Sequence, residues 1–418
     1  MEWPRVPLGA LVRRLGGGTP SRKRPEYWGP GLPWFTVADL TDDLRVQEMH
    51  DSRECITEAG LENSSAHRIP PGSVVVSTRV VVGKVGIAQR DIATNQDFAS
   101  LIPHADSLDA RFLAYYLLSI RNSLRGQGRG LTITGITTHT LDALRIPLPP
   151  LSEQRRIVEI LDQADRLRRL RAEADAKADR ILPALFIKMF GDPATNPLGW
   201  PVRPIGEHLE PILRRNPADR PDETFIYIDI AGVDGATGEI SETKPLLGAE
   251  APSRARQVVK AGDVLVSTVR PYLRATAMVP AELDGQICST GFCVLRPRLA
   301  SMRGYLYALT RTHWFTDQLM SRARGASYPA LTDRDIWELP VPTPDDEAVL
   351  EQFVALVEAL LTQRAKRRDA ATTIANLFIS ALSRAFAGSL TAPWRVAHMK
   401  EVLEEMEQQA KVLEAART

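Results

Sequence analysis

The sequence predicts a mixed α/β (α+β) protein built as an internal duplication: two globular domains, each followed by a long helix. Three observations carry that reading. First, a glycine turn feeding a β-branched run occurs twice, as IPPGSVVVSTR at 69–79 and VKAGDVLVSTVR at 259–270. Gly72 aligns with Gly262, and Val76-Ser77-Thr78 with Val266-Ser267-Thr268, at one offset. Second, a proline-bearing segment recurs, LRIPLP at 144–149 and WELPVP at 337–342. Third, each of these leads into an amphipathic stretch of about four heptads, long enough for a coiled coil.

Taken in chain order, the first domain (1–150) mixes a strand-like run, Val74–Val82, with a helical stretch, Ala110–Leu124. The prolines at 147 and 149 forbid helix and close the domain in an extended segment. A first long helix (151–192) then starts at Ser152 and Glu153, whose oxygens suit the orphan amides and the dipole of a first turn. Its inward positions are expected at Ile157, Ile160, Ala164, Leu167, Arg171, Ala174, Ala178, Ile181 and Leu185. From 152 to 189 it would be about 57 Å long.

The second domain (193–344) repeats the mixture, with strands at Val264–Val269 and Phe292–Leu295 and helix over Met302–Ser321. A second long helix (345–390) is capped by Asp345-Asp346 and Glu347. Its seam is expected at Leu350, Phe353, Val357, Leu360, Arg364, Arg367, Ala371, Ile374 and Phe378. Arg171 and Arg364 fall at matching places midway, where they either snorkel out or form a polar layer that fixes register. Neither stripe is buried by one helix alone, so the two are expected to pair antiparallel with pseudo-two-fold symmetry. The tail (391–418) reads as a solvated helix with Val402, Met406, Ala410 and Leu413 on one face, a partner contact being the other reading.

Composition narrows the function. Hydrophobic residues at 44% and charged residues at 25% are ordinary globular values, and a net charge of +1 means that any nucleic-acid surface is local or shared. Three cysteines set no disulfide framework, and the start lacks the apolar core of a signal peptide, so a cytoplasmic protein is expected. Seven scattered histidines show no metal-ligand spacing, and Gly16-Gly17-Gly18 runs into Thr19-Pro20 with no Walker lysine. No catalytic, cofactor or metal site is read in this chain. One decoy is Asp222, Glu242 and Lys244, which match the loose spacing of a metal-dependent nuclease; Asp222, however, sits in a proline-broken polar stretch.

Polar chemistry gathers at turns instead. GGGTPSRKR places Thr19, Ser21, Arg22 and Lys23 on a glycine-rich loop. Arg79 and Lys84 flank a strand end, with Arg270, Tyr272 and Arg274 at the corresponding place. Arg129 in GQGRG and Arg324 with Tyr328 in RARGASY form a third matched pair. Arginine grips phosphates and reads guanine edges, and glycine amides approach phosphates closely, so these twelve residues are the candidate DNA contacts. A coiled-coil scaffold that binds protein only is the alternative in which these charges are solvated surface.

With these residues in view, the chain resembles the specificity (S) subunits of type I restriction-modification enzymes. The likeness lies in LRIPLPPLSEQRRIVEILD (144–162), ALFIKMFGD (184–192), STVRP (267–271), STGFCVLRP (289–297) and GASYPAL (325–331). GGGTPSRKRPEYWG (16–29) and TNQDF (94–98) add to it. It implies two target-recognition domains, each reading half of a split site in double-stranded DNA. It further implies that the helices dock two methyltransferase (M) subunits, with restriction/motor (R) subunits joining them. S-adenosylmethionine, ATP and magnesium are then expected in the partner subunits and not in this chain.

Overall fold

The computed structural model describes residues 3–126, 135–325 and 327–415. The chain divides into two compact units, one formed by 1–171 with 371–418 and the other by 172–370. Both mix sheet and helix, an α+β organisation. No helix among the described residues is long and apolar enough to cross a membrane.

In the first unit a five-stranded sheet runs Val12–Gly16, Phe98–Pro103, Val74–Ser77, Val85–Ala88, Val46–Met49 in spatial order. All its pairs are antiparallel except the last. Val74–Ser77 is buried along its whole length, as expected for a β-branched run inside a sheet. A three-stranded sheet, Glu54–Ile56, Trp28–Phe35 and Ala93–Thr94, lies apart from it. Asp109 caps the helix Ala110–Ser119 through the amides of Arg111 and Phe112, and that helix buries Phe112, Leu113, Tyr115 and Leu117 in the main core. The proline-bearing segment Arg145–Pro147 pairs antiparallel with Arg5–Pro7, a two-stranded ribbon whose edges tolerate proline.

The second unit has a four-stranded sheet (Lys244–Leu247, Thr224–Ile228, Ile287–Ser289, Ala255–Val258) and a three-stranded one (Thr276–Met278, Val264–Ser267, Phe292–Leu295). Val202–Pro204 pairs with Pro340–Pro342, repeating the proline ribbon. Phe186, Phe190, Tyr305 and Phe353 form an aromatic cluster with ring centroids 4.8 to 6.2 Å apart.

The long helices depart from expectation in informative ways. The second is continuous from Glu347 to Phe386, and Asp346 accepts from the amides of Ala348 and Val349, the cap read from the sequence. Its expected seam holds throughout: Leu350, Phe353, Val357 and Phe378 are buried, and the positions between them half-buried. The first helix instead stops at Ala178 and restarts at Ile181. Pro183 explains the break, since its ring excludes the carbonyl of Asp179 from a regular turn. Here the buried residues are Glu153, Gln154, Ile157, Leu161 and Asp165, whereas Leu167 (59% exposed), Ala174 and Ile181 face solvent.

Within each unit the helix segments run antiparallel. In the first, Phe378 and Leu382 join Ile157 and Leu161 in the core, and Arg168 stacks on the Phe378 ring at 4.2 Å. In the second, Arg364 bonds Asp179 at 2.7 Å and Arg367 bonds Asp175 at 3.3 Å. Arg364 is thus held in a polar layer and does not snorkel.

The tail is not a solvated helix. Thr391 and Arg395 converge on Glu153, which also accepts from the Trp3 indole at 3.1 Å. The helix Met399–Ala415 buries Val402 and Gln409 against the first unit, and Gln409 donates to the Ser107 carbonyl at 3.0 Å. Its inward face is Val402, Glu405, Met406 and Gln409, rotated from the one expected; Ala410 is exposed, and the Leu413 side chain lies outside the described residues. Glu405 takes the Ser152 amide at 3.1 Å. The cap of the first long helix therefore comes from the tail, while Ser152 lies inside the helix.

Candidate nucleic-acid interface

The two strand ends with matching sequence are built alike. Gly72 and Gly262 both sit in the left-handed region, with φ of 80° and 86°, which is why glycine recurs there. After each strand a threonine fastens the turn. The Thr78 amide and hydroxyl donate to the Asp97 carbonyl at 2.7 and 3.1 Å; those of Thr268 donate to the Gly291 carbonyl, both at 2.9 Å. A second loop is zipped alongside, Ile136 N–H onto the Thr78 carbonyl and Leu331 N–H onto that of Thr268. Two residues past each threonine the backbone turns left-handed, at Val80 (φ 65°) and Arg270 (φ 49°). Arg79 thus corresponds to Val269, one residue short of Arg270.

In the second unit this frame presents the half-buried Arg270 among exposed residues. The Arg270 guanidinium lies 4.4 Å from the centre of the Tyr328 ring, and Tyr328 is 64% exposed beside Tyr272 and Leu273. Cation–π stacking holds the guanidinium plane in place while leaving its edge open. Arg324 stands in the same loop, exposed and 3.2 Å from Asp335. Arg274, half-buried like Arg270, differs in that its guanidinium is turned inward and donates to the Arg311 carbonyl.

In the first unit Arg22 stacks on Trp28, 3.7 Å from the ring centre, and is held by Glu54 through a two-pronged bond, one arm 2.7 Å. That hydrogen bond raises the guanidinium above its ordinary pKa and lowers the Glu54 carboxyl below its own. Thr19 donates to Gln96 at 2.7 Å, and Ser21 and Lys23 are exposed nearby. The glycines serve packing: a Cβ on Gly17 would lie 1.9 Å from the Asn95 carbonyl oxygen, and one on Gly18 2.3 Å from the Ala66 nitrogen. Trp28 and Trp34, edge to face at 5.0 Å, were missed by the sequence reading although WGPGLPWF displays them. Val80, 64% exposed in a conformation costly for a β-branched residue, carries no sequence signal. Arg129 lies outside the described residues.

Lys84 leaves the candidate set. Its side chain is buried, and Nζ donates to the carbonyls of Val37 (2.8 Å) and Leu40 (2.5 Å), so it cross-braces the turn. Lys84→Met is expected to cost about 1–3 kcal/mol by leaving buried acceptors unpaired. Thermal unfolding should show the loss, while the salt slope of DNA binding stays unchanged.

The nuclease pattern finds no assembled site. Asp222, Glu242 and Lys244 are all exposed, Asp222 in a turn and Lys244 on a strand. Among the described residues no three His, Cys, Asp or Glu side chains converge as metal ligands. Cys288 and Cys293 are buried, and desolvation pushes both thiols well above their ordinary range.

The family model of the type I restriction modification DNA specificity domain matches residues 1–177. Over that first part the chain is similar to type I restriction-modification specificity subunits. It is 30% identical over 227 residues to the MjaIX specificity subunit of Methanocaldococcus jannaschii, covering 50% of this chain and 52% of that one. It is 33% identical to the EcoR124I/EcoR124II specificity subunit of Escherichia coli over 40% of this chain and 41% of that one. The chain thus spans about half the length of these curated relatives. Among solved structures, an S subunit from M. genitalium shares the fold over 92% of this chain and 96% of its own, with a TM-score of 0.55 at 14% identity.

Proposed function

We propose that this chain is the DNA-reading subunit of a type I restriction-modification complex. Residues 1–150 and 193–344 act as two target-recognition domains, duplicates of one ancestral unit, each reading half of a split site in double-stranded DNA. The long helices form an antiparallel coiled-coil spacer and dock two methyltransferase subunits, to which restriction/motor subunits add. S-adenosylmethionine, ATP and magnesium belong to those partners. The observation that carries the reading is the repeated strand end, where a threonine clamp and a zipped second loop present exposed residues twice on unlike sequences. A repeated frame with unlike tips is what an asymmetric bipartite site asks of a duplicated reader.

The test is to exchange residues 1–150 for those of a relative with a different target and to map methylated adenines across a genome. One half of the motif is expected to change and the other to persist. An unchanged motif would leave only the protein-binding scaffold.

A further inference from the structure

Wholly within the second unit, a cleft of about 590 Å³ opens beside the break between the helices ending at Ala178 and starting at Ile181. That volume is in the range of small-molecule sites. Its lining includes the apolar side chains of Leu182, Ile187, Trp314 and Leu361 and the guanidinium groups of Arg274 and Arg311.

The first unit shows what is missing there. At the matching junction between two helices, Arg121 donates to the Asp43 carbonyl (2.8 Å) and the Asp42 carbonyl (3.4 Å), and also bonds the Asp42 carboxylate. Arg311 repeats the backbone half of this clamp, donating to the carbonyls of Ala236 (2.7 Å) and Gly235 (3.5 Å). The Asp42-Asp43 pair has become Gly235-Ala236, and the direct carboxylate bond has gone; Asp234 acts on Arg311 by charge alone, without a hydrogen bond. No side chain can return at 235, where a Cβ would lie 1.9 Å from the Leu273 carbonyl oxygen. Asp234 turns its carboxylate onto the amides of Ala236 and Thr237.

The other charges around the cleft leave this vacancy in place. Arg364 and Arg367 are matched by Asp179 and Asp175. Asp192 accepts from the Ala194 amide, and Asp317 in the lining is exposed. Arg274 adds a guanidinium whose Nε–H is buried with no acceptor among the described residues. One buried donor in the lining is thus left without an acceptor among the described residues.

We propose that the cleft binds a small organic anion, its apolar body against Trp314, Ile187 and Leu361 and its carboxylate, sulfonate or phosphate on Arg311 and Arg274. The anion supplies in the second unit the charge that Asp42 supplies in the first.

The experiment uses the full chain and 8-anilinonaphthalene-1-sulfonate, an apolar fluorophore with one fixed negative charge. Saturable one-to-one binding is expected, displaced at least tenfold more effectively by 4-phenylbutyrate than by 4-phenylbutylamine, which shares its body and reverses its charge. Ala236→Asp places a carboxylate on an exposed position beside Arg311; it should weaken the fluorophore at least tenfold and raise the melting temperature. Arg311→Met should weaken it equally, with folding checked by circular dichroism. Equal displacement by acid and amine would reduce the site to an adventitious apolar patch and overturn the proposal. So would unchanged affinity in Ala236→Asp, or no binding to the folded chain, which would leave the cleft as a notch for a protein side chain.

Discussion

Glu153→Gln is expected to destabilise the first unit by about 3–5 kcal/mol and to release the tail, because it strips a buried arginine of its charge partner. Glu153 is fully buried, and its carboxylate lies 2.7 Å from Arg395, itself nearly buried. Three further hydrogen bonds hold the group together: Thr391 on the same carboxylate, Trp3 on its second oxygen, and Arg395 on the Gly388 carbonyl. An amide would keep the shape and part of the hydrogen bonding while leaving the guanidinium uncompensated away from water. The cost arises from that orphaned charge and not from the pair's own net worth. Replacing both partners in Glu153→Met/Arg395→Met should therefore recover much of the loss. Thermal unfolding of the single and double variants measures the energy, and amide exchange in Met399–Ala415 reports the tail. If the single and double substitutions destabilise equally, desolvation of Arg395 is not the cause.

That cluster also shows where sequence reading stops. Glu153 reads as a helix-start acid, since nothing local reveals that Arg395, 242 positions away, will bury it. The second long helix was legible because its buried stripe is apolar wherever it matters, so period alone places Phe353, Val357 and Phe378. The first was not. Its buried face carries Gln154 and Asp165, and the half-buried Asp162 takes the Tyr115 hydroxyl at 2.7 Å. Polar residues facing a domain surface are indistinguishable in sequence from polar residues facing water. Lys84 fails for the same reason: a lysine near a turn looks solvated until the distant segment 37–40 brings its carbonyls over it. The paired strand ends were legible because glycine at a left-handed position and threonine at a clamp are chosen by backbone geometry, and that geometry recurs.

Arg270→Ala is expected to cost about 1–3 kcal/mol of binding to the cognate duplex. The native left-handed backbone at Arg270 projects from the threonine clamp, and the Tyr328 ring restrains the guanidinium before DNA arrives. Little side-chain entropy then remains to be lost on contact, which separates this arginine from the solvated majority. Two outcomes distinguish its role. If it reads a guanine edge, the variant tolerates other bases at one position of the half-site belonging to residues 193–344. If it grips phosphate, all sites weaken alike, and the slope of log K against log salt falls by about 1. Tyr328→Ala should reproduce the direction with a smaller effect, because the guanidinium remains but loses its rest. Fluorescence anisotropy across a salt series, on duplexes changed one base at a time, separates the two outcomes. Arg324→Ala is the internal control: its guanidinium is already paired with Asp335 across 3.2 Å, so DNA must compete for it. If Arg270→Ala leaves both affinity and motif unchanged while Arg324→Ala weakens binding, the reading surface lies farther along the 324–330 loop, and the stacked pair is only its support.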